Sequence, residues 1–144
     1  MQPTSFKKQI FINLPVSDLH KSTEFYEKLG FVKNPMFSND TTGNSLAWSE
    51  EIILMLLTKE YFQTFIDGKN IPDAKKSAQV GLCINLDSKE AVDKFANTAE
   101  MNGGRKYQIV TSGSEEFMYG FEVEDLDGNW WEPIFMDISK FPKE

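Results

Sequence analysis

Histidine and cysteine are almost missing from this chain, which has one of each, His20 and Cys83, in 144 residues. A single cysteine cannot close an internal disulfide, in keeping with a reducing compartment. A single histidine restricts the metal chemistry open to the protein more than any other feature of its composition. No apolar run is long enough to cross a bilayer, and the opening MQPTSFKKQIF lacks the apolar core of a secretory signal, so the expected location is the cytoplasm. Positive charge is also in short supply: 15 Lys and Arg stand against 22 Asp and Glu, a formal net charge of −7. Long-range repulsion then argues against nucleic acid or an anionic membrane as a partner, and a neutral or cationic small molecule is easier to accommodate.

What is present is enough apolar material for one domain-sized core, with 40% hydrophobic and 13% aromatic residues. The clearest local signal is the stretch 117–137, FMYGFEVEDLDGNWWEPIFMD. Two aromatic and aliphatic runs, 117–123 and 129–136, flank Asp125-Leu126-Asp127-Gly128, whose Asp and Gly suit a tight reversal with a positive φ. The stretch reads as a β-hairpin. Side chains alternate along its second strand, so Trp130, Glu132 and Ile134 share one face and Trp131, Pro133 and Phe135 the other. Glu132 is therefore either a functional group facing a cavity or a charge that reaches water past the strand edge.

Upstream, 8–16 alternates like a strand, and Ser17 or Asp18 can cap a helix carrying Leu19, Ser22, Thr23, Tyr26 and Leu29, stopped by Gly30. Residues 31–37 read as a short strand at an edge or bent by Pro35. Strands follow at 45–49 and 52–58, the latter apolar on both faces and so buried and central. A short helix is expected at 61–66. The polar segment 67–77 breaks all periodicity and reads as a connector. The same grammar then returns: a strand at 80–86, a capping-box-like Asp87 and Glu90 before a helix with Ala91, Val92, Phe95, Ala96 and Ala99 inward, a Gly103-Gly104 stop, a strand at 106–111 and the hairpin. A shift of 70 positions lays Val16 on Leu86 and Phe25 on Phe95.

Asn13-Leu14-Pro15-Val16-Ser17-Asp18-Leu19 with Phe25-Tyr26 and Leu29-Gly30-Phe31, then Glu124-Asp125-Leu126-Asp127-Gly128 with Trp131-Glu132, resembles the vicinal oxygen chelate superfamily. That group includes glyoxalase I, bleomycin resistance proteins and extradiol dioxygenases, and Met118-Tyr119-Gly120 is similar to glyoxalase-like sequences. The resemblance covers 10–137, with Leu126 in place of a usual Pro. It implies an α+β fold: two βαβββ modules forming curved mixed sheets around a cup, helices outside, in one domain. The modules would span 8–66 and 78–137, joined by the connector 67–77 and followed by a tail at 138–144. It also implies a homodimer, with the modules pairing either within the chain or across the dimer.

The same resemblance places four divalent-metal ligands, two His and two Glu, at Phe11, Met55, Gly81 and Glu132, so only Glu132 matches. Catalytic metal sites usually take about three protein ligands, so no metal cofactor and no metal-ligating residue is expected. His20, in the first turn of the helix, would lie outside the cup. The expected role is metal-independent binding of a small amphipathic molecule, with Phe11, Asn13, Met55, Cys83, Asn85, Tyr119, Trp130 and Glu132 as its contacts. Two enzyme readings stay open: a metal-dependent lyase or dioxygenase similar to lactoylglutathione lyase, and a metal-free enzyme with Glu132 as catalytic general base.

Overall fold

The computed structural model describes residues 6–108 and 117–141. The chain divides into two compact units, 1–71 and 72–144, and the division falls inside the 67–77 segment. Each unit is a mixed sheet with one long helix packed on one face.

In the first unit, β1 (Ile10–Val16) runs parallel to β4 (Ile52–Thr58), with β3 (Gly43–Ala47) and β2 (Val32–Asn34) continuing the sheet antiparallel in the order β1-β4-β3-β2. The helix α1 (Leu19–Lys28) makes the crossover that a parallel pair requires. Asp18, not Ser17, caps it, its carboxylate accepting from the Lys21 N–H at 3.0 Å. Its inward stripe, Leu19, Ser22, Thr23 and Tyr26, meets Leu46, Leu54 and Leu56, all nearly or wholly buried. Two polar residues in this layer satisfy each other: Asn44 Nδ2 donates to Thr23 Oγ1 at 2.9 Å, and Thr23 Oγ1 donates to the Leu19 carbonyl at 2.7 Å. The strand expected over 31–37 stops at Asn34, because Pro35 starts a 3-10 turn over Pro35–Phe37 with Asn34 capping it. A short helix, α2 (Lys59–Gln63), follows β4 directly, two residues earlier than its apolar residues suggest, since Thr58 supplies the cap.

The second unit repeats this plan. β5 (Gly81–Asn85) runs parallel to β9 (Trp130–Met136), and the sheet continues antiparallel through β8 (Glu122–Glu124) to β6 (Arg105–Tyr107), with β7 (Met118–Gly120) also on β9. The helix α3 (Lys89–Met101) is capped by Ser88 rather than Asp87, whose hydroxyl accepts from the Ala91 N–H at 3.0 Å. Val92, Phe95, Ala96 and Ala99 on α3, with Val123 and Trp131 on the sheet, form its core. The run 117–123, expected as one strand, is two pieces separated at Phe121. Phe121 stands opposite Pro133, which has no N–H to offer, so the ladder there keeps only the Phe121 N–H to Pro133 carbonyl bond of 3.2 Å. The strand expected over 106–111 is seen as Arg105–Tyr107; Gln108 already lies outside it, and positions 109–111 fall outside the described residues.

The turn between β8 and β9 is fixed by the buried Asp125. Its carboxylate accepts from the Asp127 and Asn129 N–H groups at 2.9 and 2.8 Å and from Asn129 Nδ2 at 3.0 Å. Gly128 takes φ 96°, and a Cβ there would come within 2.7 Å of the Lys75 nitrogen, so the turn also seats the connector's backbone. Among the described residues no helix is long and apolar enough to cross a membrane.

Candidate functional site

The alternation of β9 sorts the second sheet into two faces. Trp131 and Pro133 are buried toward α3. Trp130, Glu132 and Ile134 point to the other side, away from α3, and the pairing puts Gly81, Cys83 and Asn85 of β5 beside them. From the other flank β8 contributes Glu124, opposite Trp130, and, two residues back, Glu122, opposite Glu132. Tyr107 of β6 stands next to Glu122.

The centre of this open face is a pair of carboxyl groups. Glu122 and Glu132 are hydrogen-bonded to each other, and Trp130 Nε1 donates to Glu122 Oε2 at 2.6 Å. Two carboxylates in contact repel when both are ionised, which favours the protonated form of Glu122. Burial, reinforced by the bond to Glu132 and opposed by the indole N–H, pushes Glu122 up to about 7. Burial and the adjacent Glu132 carboxylate push the Cys83 thiol up to about 11, which makes it a neutral thiol at physiological pH although the residue keeps solvent access. Burial, then the nearby Glu124, raises the Tyr107 phenol. The Arg105 guanidinium lies 4.4 Å over the Tyr107 ring and 2.5 Å from Glu124 Oε2, closing that edge with charge.

Of the residues singled out in the sequence, Cys83, Trp130 and Glu132 converge here, with Asn85 farther along β5. Tyr119 does not: paired with Phe135, it belongs to the opposite face, where its hydroxyl bonds the Asp93 carboxylate of α3. That bond, with burial, pushes the phenol up to about 12. In the first unit Asn13 and Met55 are neighbours on β1 and β4, with Phe11 one pleat away and exposed. His20 lies on the exposed side of α1, 3.2 Å from Glu24. Glu122 and Tyr107 were not singled out. The hairpin itself could have revealed Glu122, since counting back across the Asp125 turn sets it opposite Glu132.

The four positions where the fold family would carry metal ligands do not fit a divalent ion. Phe11 and Gly81 offer no side-chain donor and Met55 only a thioether, while the Glu132 carboxyl is engaged with Glu122. A Cβ added at Gly81 would lie 2.5 Å from Trp130 Cζ3 and 2.6 Å from Cε3, so the indole fills the room a ligand side chain would need. Among the described residues, no group of three or more His, Cys, Asp or Glu side chains is placed to hold a metal ion.

The chain matches the family model described as the Glyoxalase/Bleomycin resistance protein/Dioxygenase superfamily over residues 8–132. No curated protein matches it. Among solved structures, a hypothetical protein from S. aureus is 25% identical with a TM-score of 0.72, over 91% of this chain and 95% of that one. A glyoxalase/bleomycin resistance protein/dioxygenase family enzyme from Burkholderia phytofirmans PsJN is 16% identical with a TM-score of 0.71, over 88% and 96%. A lactoylglutathione lyase from Agrobacterium tumefaciens is 18% identical with a TM-score of 0.63, over 97% and 100%.

Proposed function

Starting from a chain that belongs to the Glyoxalase/Bleomycin resistance protein/Dioxygenase superfamily, we propose that it binds a small amphipathic molecule, without a metal ion, on the open face of the second module. The observation that carries this reading is the hydrogen-bonded Glu122 and Glu132 pair beside Trp130 and Ile134. A few polar groups set among aromatic and aliphatic side chains are the usual make-up of a small-molecule site. The indole gives a flat apolar wall, and the carboxyl pair can both donate and accept a hydrogen bond while it holds its proton.

The test is a thermal-shift and native-mass screen of neutral and cationic amphipathic compounds, because a ligand that binds only the native state raises the melting temperature by mass action. One compound class stabilises the wild type, and the shift disappears in Glu132→Gln and in Trp130→Ala. A shift that survives both substitutions places the ligand elsewhere and refutes the reading.

One observation favours a second reading, a metal-free enzyme in which the pair moves a proton. Glu122, held near 7, is matched to donate at neutral pH, and Glu132 beside it is placed to accept as general base. Turnover of a ligand found in the screen, lost in Glu132→Gln, selects this reading. A ligand recovered unchanged selects binding alone.

A further inference from the structure

The misfit between the second module and a divalent ion has three identifiable structural causes. The first lies on β5, where Gly81 is paired with Trp130 and the six-membered ring of the indole covers the glycine. The contacts a Cβ would make, 2.5 Å to Cζ3, 2.6 Å to Cε3 and 2.9 Å to Cη2, are all below the distance that real side chains tolerate. The second lies on β8, where Glu122 accepts the indole N–H at 2.6 Å and so sets the plane of the ring. The third is Glu132, whose carboxyl is spent on Glu122 and the Cys83 thiol.

We infer that Gly81 and Trp130 form a fitted pair that excludes divalent metal from this face: the indole, held by Glu122, occupies the volume a β5 ligand would need. This rests on the metal-free part of the proposed function and goes beyond it by making the exclusion a property of one held side chain that substitution can reverse. The geometry makes the exclusion reversible by two substitutions. With Trp130→Ala the space over Gly81 opens, and Gly81→His then sets an imidazole on the same face as Glu132, Glu122 and Cys83. That set supplies nitrogen, oxygen and sulfur donors of the kind zinc and nickel take. Gly81→His alone pushes the indole aside but leaves it on this face, competing with the imidazole for the same space.

Metal uptake is read by titration calorimetry and native mass spectrometry with Zn²⁺ and Ni²⁺, on the full chain, with folding checked by circular dichroism. The expected result is no stoichiometric ion in the wild type or in Gly81→His, and one ion per chain in Gly81→His/Trp130→Ala, bound at least a hundredfold more tightly. A wild-type ion lost in Glu132→Gln overturns this inference and the metal-free function together. A folded double variant that binds no better than the wild type overturns the exclusion pair alone and leaves the proposed function standing. If the histidine variants do not fold, Gly81→Ala decides. Its Cβ must displace the ring, so the Trp130 indole N–H resonance, assigned by loss in Trp130→Phe, shifts toward the position of a solvent-exposed indole. An unchanged resonance in Gly81→Ala overturns the inference.

Discussion

The two modules share a plan and differ in what they place on the face away from the helix. In the first, Asn13 pairs with Met55, and Ser45 stands opposite Met55 on the other flank. In the second, Cys83 pairs with Glu132, and Glu122 stands opposite Glu132. Ile53 of the first module corresponds to Trp130 of the second. None of these first-module positions carries an acid, and Ile53 and Ser45 are buried. The second module puts two acids side by side in a half-buried setting, a choice that costs stability, because burial disfavours each charge and proximity disfavours having both. Features that work against stability in an otherwise consistent fold mark candidate functional sites, and the carboxyl pair is such a feature of the second module.

The comparison breaks most sharply if the helix-facing sides of the two sheets are not equally structural. Leu54→Ala in the first module and Trp131→Ala in the second each remove a side chain at most 3% exposed, and each should cost about 3–5 kcal/mol in chemical denaturation. On the open faces, Met55→Ala and Trp130→Ala should cost less than half as much. Equal losses on both faces of either sheet would contradict the division into packing face and open face. Next in size is Asp125→Ala, which leaves the turn donors of Asp127 and Asn129 without their acceptor and should cost about 2–3 kcal/mol by the same measurement.

Much of this division can be read directly from the residues. The Asp125 to Gly128 turn, the central strand Ile52–Thr58, the cap-and-helix units and the parity of Trp130 and Glu132 follow from turn chemistry and alternation, which are local. What stayed hidden depends on pairing between distant segments. The side on which Tyr119 falls is set by its partner Phe135, and the break at Phe121 by Pro133 across the ladder. The Glu122 and Glu132 contact likewise needs the hairpin register, which the sequence contains but which has to be counted strand against strand. The Trp130 ring lying over Gly81 requires knowing that β5 runs beside β9, a crossover set by the whole unit.

Smaller effects sharpen the contrast through pH. Glu122 keeps its proton up to about 7 in the fold, against an ordinary glutamate value of 4.5. Between these values the folded state binds more protons than the unfolded one, so this contribution to stability is complete below about 4.5 and is lost as pH rises through about 7. Melting temperatures measured from pH 4.5 to 8 should therefore fall in the wild type relative to Glu122→Gln, which mimics the protonated acid. A difference that stays flat would contradict the shared proton, and Met55→Gln in the first module should show no such trend. Smallest is Tyr119→Phe, which removes one hydroxyl from the helix side and should cost about 1 kcal/mol while abolishing the phenol that titrates at about 12 in an ultraviolet titration.

The most direct test of the carboxyl pair is a carboxyl-carbon NMR titration that follows Glu122 in the wild type and in Glu132→Ala. A wild-type midpoint near 7 that drops toward the ordinary glutamate value once Glu132 is removed is the predicted result. A midpoint near 4.5 in the wild type, unmoved by the substitution, would mean that no proton is shared between the two acids.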